Sequence, residues 1–389
     1  MSLTPSLQAI RDDIHALSAY AVQDAKGFIK LDAMENPYTL ESALRQALGD
    51  RLALVDVNRY PAARVQDLKR ALKAHAQVGD DLELMLGNGS DELIGLLDLA
   101  CAKPGACVLA PEPGFVMYAM SAKLLGLKYV GVPLQADFEL DMPAMQAAIE
   151  LHRPAIVYLA YPNNPTANLW SPTSIEALIA QVSAYQGVVV MDEAYQPFSS
   201  DTWLERMRAQ PLKNAQVILM RTLSKVGLAG ARIGYVVAHP AWIGALEKVR
   251  PPYNVSVLNA ECALFALEHE DVFKAQAELI VAERARLTAS LSQGLGLTVY
   301  ASSANMLLMR LHPEVWAPLA GVLGAGPEVA HSLASHVFGG LKAQGILIKN
   351  VSTMHPLLEG CLRVTVGTPQ ENDAFIAALA GLLKPPKAH

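Results

Sequence analysis

The chain has 389 residues, 52% hydrophobic and 17% charged, with a formal net charge of -6. It is too apolar for a disordered chain and too long for one core, so two lobes are expected; its acidic balance, with no lysine/arginine run, excludes a nucleic-acid groove as the main business. The cysteines Cys101, Cys107, Cys262 and Cys361 are too few and too irregular for a disulfide framework or a zinc site, so no metal is expected, and the compartment should be reducing.

The N-terminal MSLTPSLQAIRDDIHAL carries Asp12 and Asp13 where a signal peptide needs an unbroken apolar core. No run reaches the ~20 apolar residues of a membrane helix, so a cytoplasmic protein is expected. Between about residues 60 and 250, helical patterns such as 63–75 (ARVQDLKRALKAH) alternate with short apolar runs at 106–111, 128–133, 155–160, 187–193 and 215–220. Runs hydrophobic on both faces, each followed by a helix, predict a buried, mostly parallel sheet in an α/β fold. Ligands of such folds bind beyond the carboxyl ends of the strands, and PEPGF, YPNNPT, DEAY and RTLSK each terminate one of these runs. After about residue 270 a long helical stretch, AQAELIVAERARLTASLSQGL, is followed by strand-like LTVYAS, NMLLMRL, GILIKN and CLRVTVG and a closing helix, ENDAFIAALAGLL. This predicts a large domain over 45–270 and a smaller α+β domain formed by 1–44, with an N-terminal arm, and 271–389. The Gly/Ala/Pro-rich piece from Ala317 to Pro327 reads as a surface excursion.

Taken singly, the polar residues at the strand ends have ordinary explanations. Asp192 ends the apolar GVVVMD, where an unpaired charge is costly; it either meets a cation or caps the next helix. Gly87 and Gly89 precede Ser90 and Asp91 at a helix start, which offers N–H groups to a phosphate or a plain N-cap. Phe115 can stack on a flat ring or fill a core, and Asn164 can donate to a phenolate-type oxygen or simply shape a turn. Lys225, in RTLSKVGLAGARIGY (221–235), has no charged neighbour and is followed by glycines. A lysine that loses solvation becomes a neutral amine able to form a Schiff base with a carbonyl compound. Thr222, Ser224 and Arg232 would supply hydroxyls and a fork for a phosphate beside it. Together the set describes one ligand. It has a carbonyl for Lys225, a phosphate for Ser90, Thr222, Ser224 and Arg232, a basic ring nitrogen for Asp192, a flat face for Phe115 and a ring oxygen for Asn164 and Tyr195. Pyridoxal phosphate has all of these.

The order of these groups along the chain resembles that of the fold-type I pyridoxal-phosphate aminotransferases. KLDAMENPY, NRYPAARVQDLKRAL, GNGSDELI, PEPGFVMY, YPNNPTAN, DEAYQPF, RTLSKVGLAGARIGY, RPPYNVS and CLRVTVGTPQEN resemble one class II-like family, histidinol-phosphate aminotransferase, over about residues 20–380. The resemblance implies amino transfer between L-histidinol phosphate and 2-oxoglutarate in L-histidine biosynthesis. An aromatic amino-acid aminotransferase and a phosphothreonine-type decarboxylase on the same fold are the alternatives. It further implies that Lys225 carries the cofactor, that Asp192 keeps its ring nitrogen protonated, and that Tyr195 and Asn164 hold its ring oxygen. Gly89, Ser90, Asp91, Thr222, Ser224 and Arg232 would surround the phosphate, and Tyr60 would reach the phosphate of a neighbouring subunit in a homodimer with shared sites. Arg363 would grip glutamate's carboxylate and the substrate phosphate in turn, with Lys349, Asn164 and Tyr20 beside the substrate. The sequence departs from the usual pattern at Met34 for asparagine, Ala167 for the glycine of NPTG and Lys349 for arginine, and in a Lys225–Arg232 interval one residue short.

Overall fold

A computed structural model describes residues 7–15, 24–312 and 329–383. Tyr20 and the Ala317–Pro327 piece lie outside the described residues.

The central element is a seven-stranded sheet formed by β2 (Glu83–Gly87), β3 (Cys107–Glu112), β4 (Lys128–Pro133), β5 (Ile156–Ala160), β6 (Val188–Asp192), β7 (Val217–Thr222) and β8 (Gly234–Ala238), in the spatial order β2-β8-β7-β6-β5-β3-β4. Every strand runs the same way except β8, which pairs antiparallel with both β2 and β7. All residues of β5, β6 and β8 are buried, which matches runs apolar on both faces and covered by helices on both sides. Two core clusters flank the sheet: one centred on Leu109, Leu159 and Met191, the other on Val108, Tyr158 and Val190, as alternation along each strand requires.

Strands β2 (ELMLG) and β8 (GYVVA) are not among the runs expected from the sequence. Each abuts a glycine-bearing turn, GNGS after β2 and GARIG before β8, so no polar boundary marks its end. The turns approach one another closely. A Cβ on Gly234 would lie 2.8 Å from the carbonyl carbon of Gly89, so only glycine there allows the β2 and β8 ends to meet.

The remaining strands form two small sheets. In one, β12 (Lys349–Asn350), β13 (Cys361–Thr365), β10 (Met306–Arg310) and β9 (Thr298–Val299) are antiparallel in that order; in the other, β1 (Ile29–Lys30) pairs parallel with β11 (Ile346–Leu347). A third apolar cluster joins Leu31 to Leu307, Leu362 and Phe375, so the N-terminal segment packs with the C-terminal part of the chain. The closing helix Pro369–Leu382 starts at a capping box in which Thr368 and Glu371 satisfy each other's backbone N–H groups.

Candidate active site

The carboxyl ends of β2, β3, β5, β6 and β7 surround a cavity of about 380 Å³, lined by Ser90, Asp91, Phe115, Asn164, Asp192, Tyr195, Thr222, Ser224, Lys225 and Arg232. Ala33, Met34 and Glu35 of the N-terminal segment, within KLDAMENPY, close another side, a contribution that the periodicity of the sequence does not show. A larger cavity of about 740 Å³ lies against the helix Glu270–Ala289, but neither Lys225 nor Asp192 lines it. The smaller cavity is therefore the candidate site.

Asp192 is 4% exposed at the last position of β6. Its expected cationic partner is not among the described side chains. Instead the Tyr118 hydroxyl donates to Oδ2 at 2.7 Å and the Ala194 N–H to Oδ1 at 3.1 Å. Burial pushes its carboxyl up to about 6 against the pull of these two hydrogen bonds, with Asp91 and Glu193 adding to the rise. The helix-capping alternative fails, because the next element is a short 3₁₀ turn, Gln196–Phe198, without a side-chain cap. Glu193 points to the opposite face of the strand, where Arg221 and Thr202 donate to its carboxylate. Tyr118 is a site residue that the sequence reading misses. The available signal is its place in PEPGFVMY three residues after Phe115, because a buried tyrosine hydroxyl needs a partner.

Lys225 sits in a π-turn, Ser224–Leu228, that opens at Gly227 with φ +139°. Its Nζ donates to the Ala33 carbonyl at 3.1 Å and lies 5.9 Å from the Tyr195 ring centre. Burial, and then the positive charge of Arg363, lower this amine to about 8, partly opposed by Glu35 and Asp91. A neutral amine is thus accessible close to neutral pH, which is the condition for nucleophilic attack on a carbonyl.

At the far end, Gly89 caps the helix Ser90–Cys101 with φ +85°, so that the helix N-terminus faces the cavity. Ser90 is the first helical residue, not the cap. The Arg232 guanidinium lies over Gly89, where a Cβ would sit 2.5 Å from Nη2, and its Nη2 is 3.7 Å from Asp91 Oδ2. The shortened interval from Lys225 therefore does not keep Arg232 from the glycine turn, because a 3₁₀ turn over Ala229–Ala231 and a left-handed residue at Arg232 (φ +51°) compact the path. Thr222 Oγ1 lies 2.9 Å from Ser224 Oγ and 3.1 Å from the Ile233 carbonyl oxygen, and it accepts from the Ser224 N–H. This orients Ser224 beside the helix terminus.

Asn164 links two groups: its Nδ2 donates to the Tyr195 hydroxyl oxygen at 2.9 Å, while its Oδ1 accepts from Arg363 Nη1 at 2.7 Å. Arg363 Nη2 donates to the Asp32 carbonyl at 2.8 Å, so this 8% exposed arginine is tied to both the large sheet and the N-terminal segment. Lys349 is directly opposite Arg363 in the β12–β13 register, which puts both side chains on one face of the sheet. Tyr60 does not line this chain's cavity; it is 78% exposed and stacks on Tyr253 with ring centres 4.5 Å apart. The atypical Met34 and Ala167 share a property: both adopt positive φ, +53° and +64°. Asparagine and glycine tolerate that region more easily, which gives the departures a common backbone meaning.

A cavity that unites a depressed lysine amine, a buried carboxylate and an anion cradle, at the strand ends of a mostly parallel sheet, defines a class. The family model described as "Aminotransferase class I and II" matches residues 26–379, and the chain belongs to that class. It is 55% identical to the histidinol-phosphate aminotransferase of Acidovorax sp. (strain JS42), over 97% of this chain and 98% of that protein. It is 51% identical to "Histidinol-phosphate aminotransferase 1" of Ralstonia nicotianae, over 96% and 94%. Within the class, then, the chain belongs to the histidinol-phosphate aminotransferases. Its fold is also that of the Sinorhizobium meliloti histidinol-phosphate aminotransferase in complex with pyridoxal-5'-phosphate, with a TM-score of 0.81 at 24% identity over 97% of this chain and 98% of that one. The cofactor of this family is pyridoxal phosphate. Among the described residues, no helix is long and apolar enough to cross a membrane.

Proposed function

We propose that this enzyme exchanges an amino group between L-histidinol phosphate and 2-oxoglutarate, in the cytoplasm and as a step of L-histidine biosynthesis, and that the residues around Lys225 hold cofactor and substrate. The observation that carries the reading is the pairing of Lys225 and Asp192 across one cavity in a chain more than half identical to relatives of that name. The residues fit the cofactor part by part. Asp192 offers a buried acceptor for a ring N–H, and Phe115 a flat face. Asn164 and Tyr195, hydrogen-bonded to each other, would hold a ring oxygen, and Ser90, Asp91, Thr222, Ser224 and Arg232, with Gly89 beneath Arg232, would surround the phosphate.

Bound pyridoxal phosphate supplies a carbonyl and an electron-accepting ring. The protein's own part is nucleophilic and positional. Lys225 Nζ would hold the cofactor through its carbonyl and, once free, would serve as base and acid for the proton on the substrate carbon. Asp192 would accept the ring N–H and so favour the proton on the ring nitrogen. Arg363 binds the substrate's anionic end, the phosphate in one half-reaction and a carboxylate in the other. Lys349 adds a point charge rather than a second fork.

Tyr60 is assigned to the phosphate of a partner subunit in a homodimer. Its exposure, with that of Leu54 (85%), Val57 (70%) and Tyr253 (51%) nearby in sequence or space, supports the assignment, because an apolar surface of this kind needs covering. The test of the substrate is transamination of histidinol phosphate against phenylalanine with 2-oxoglutarate as acceptor. Preference for histidinol phosphate is expected. Equal or better turnover of phenylalanine would replace the assignment with an aromatic aminotransferase, and release of CO₂ from O-phosphothreonine, supplied separately, without amino transfer would replace it with a decarboxylase.

A further inference from the structure

Beneath Asp192 lies a polar stack that no role assigned above uses. Tyr118, in the first turn of the helix Val116–Leu124, donates its hydroxyl to Asp192 Oδ2 at 2.7 Å. Its ring lies parallel to that of Tyr158 in the middle of β5, with centres 4.4 Å apart and planes within 6°. The Tyr158 hydroxyl in turn donates to Asp98 Oδ1 at 2.8 Å, on the helix Ser90–Cys101 that also presents its N-terminus to the cavity. Tyr118, Tyr158 and Asp98 are 1%, 0% and 0% exposed. Polar groups buried this deeply are costly unless each bond is made, and a chain of them rigidifies its members.

A carboxylate facing a ring nitrogen can fail in two ways. It can rotate, or it can take the proton for itself. The Ala194 N–H fixes Oδ1 and the Tyr118 hydroxyl fixes Oδ2, so the Asp192 plane is set from both sides. Each donated hydrogen bond also makes the carboxylate a weaker base. Around Asp192, the charges of Asp91 and Glu193 push the other way, and Tyr195 and Tyr158 are neutral neighbours in electrostatic contact with it. Tyr118 is the side-chain donor that opposes them. We propose that Tyr118 is a positioning residue for Asp192, anchored by Tyr158 and Asp98, which keeps Asp192 the weaker base so that the shared proton rests on the cofactor's ring nitrogen. The inference rests on the assignment of Asp192 to that nitrogen.

The test is ¹⁵N NMR of holoenzyme reconstituted with pyridoxal phosphate labelled at the ring nitrogen, in the unaltered protein, Tyr118→Phe and Tyr158→Phe. The unaltered protein should give a protonated-nitrogen signal. Tyr118→Phe should move it toward the neutral value, with kcat down about 10-fold and KM within about 2-fold, as for loss of one hydrogen bond to a charged group. Tyr158→Phe should move it the same way by less. A neutral signal in the unaltered protein would remove the Asp192 assignment and the inference with it. A protonated signal left unchanged in both variants would overturn the inference while the assignment stands. If Tyr118→Phe does not fold or take up cofactor, Tyr158→Phe decides by the same criterion.

Discussion

Replacing Lys225 by methionine should stabilise the cofactor-free protein, although it abolishes the chemistry. In the fold the amine titrates at about 8 instead of the ordinary 10.5, because burial and Arg363 disfavour its charge. At 1.36 kcal/mol per unit, holding the charged lysine in place costs at most about 3 kcal/mol. Partial solvation at the cavity lowers this to roughly 2 kcal/mol. Methionine has nearly the same length, removes the charge and forfeits the hydrogen bond to the Ala33 carbonyl, worth about 1 kcal/mol. The net gain at pH 7 is then about 1–2 kcal/mol. The sign of its pH dependence comes from proton counting: between the folded and unfolded values the unfolded chain binds more protons, so the native lysine protein gains stability as pH rises there. The advantage of Lys225→Met is therefore full below pH about 8, shrinks through pH 9–10 and turns into a deficit of about 1 kcal/mol above about 10.5, where only the lost hydrogen bond to the Ala33 carbonyl remains. Urea midpoints of the two apoproteins at pH 7 and 9.5 measure it. Equal stabilities at pH 7, or a gap that does not narrow at pH 9.5, would refute a desolvated amine.

Three further outcomes are expected. Mixing inactive Lys225→Ala with inactive Tyr60→Ala protein should restore activity to at most about a quarter of the unaltered level, since random pairing makes half the dimers mixed and each of those carries one complete site; no recovery would place Tyr60 in its own subunit's site, and an active Tyr60→Ala protein would place it outside any site. Arg363→Lys should lower kcat/KM for both substrates by about 10²-fold, because a point charge cannot serve Asn164, Asp32 and a bidentate anion together; an effect confined to one substrate would divide the two anions between different cations. Thr368→Ala should cost about 1 kcal/mol of stability in urea unfolding without changing KM, because it deletes the cap of the helix Pro369–Leu382; no loss of stability would mean that cap adds nothing.

How much of the site is legible in the sequence depends on whether the physics is local. Asp192 and Lys225 can be read because each is a charged group attached to an apolar or uncharged run, an arrangement that core formation alone does not favour. The glycine turn at Gly89 is readable as a turn, but not the reason for its glycines, which lies in contacts with Arg232 and Gly234 more than 140 residues away in the chain. Tyr118 is hidden because an aromatic within PEPGFVMY looks like core, and its hydroxyl's partner comes from β6. Ala33 and Glu35 join the cavity through packing of the N-terminal segment, which periodicity cannot reveal. The α/β class is legible in the runs at β3 to β7, since strands apolar on both faces announce themselves. The antiparallel direction of β8 is not, because nothing in its composition marks which way it runs.

The role of Lys225 is tested most directly by reducing the holoenzyme with borohydride and mapping the modified peptide by mass spectrometry. The pyridoxyl group should be found on Lys225 in the peptide containing TLSK. A label on any other lysine, or a protein that takes up pyridoxal phosphate without forming a reducible bond, would contradict the role assigned to this amine.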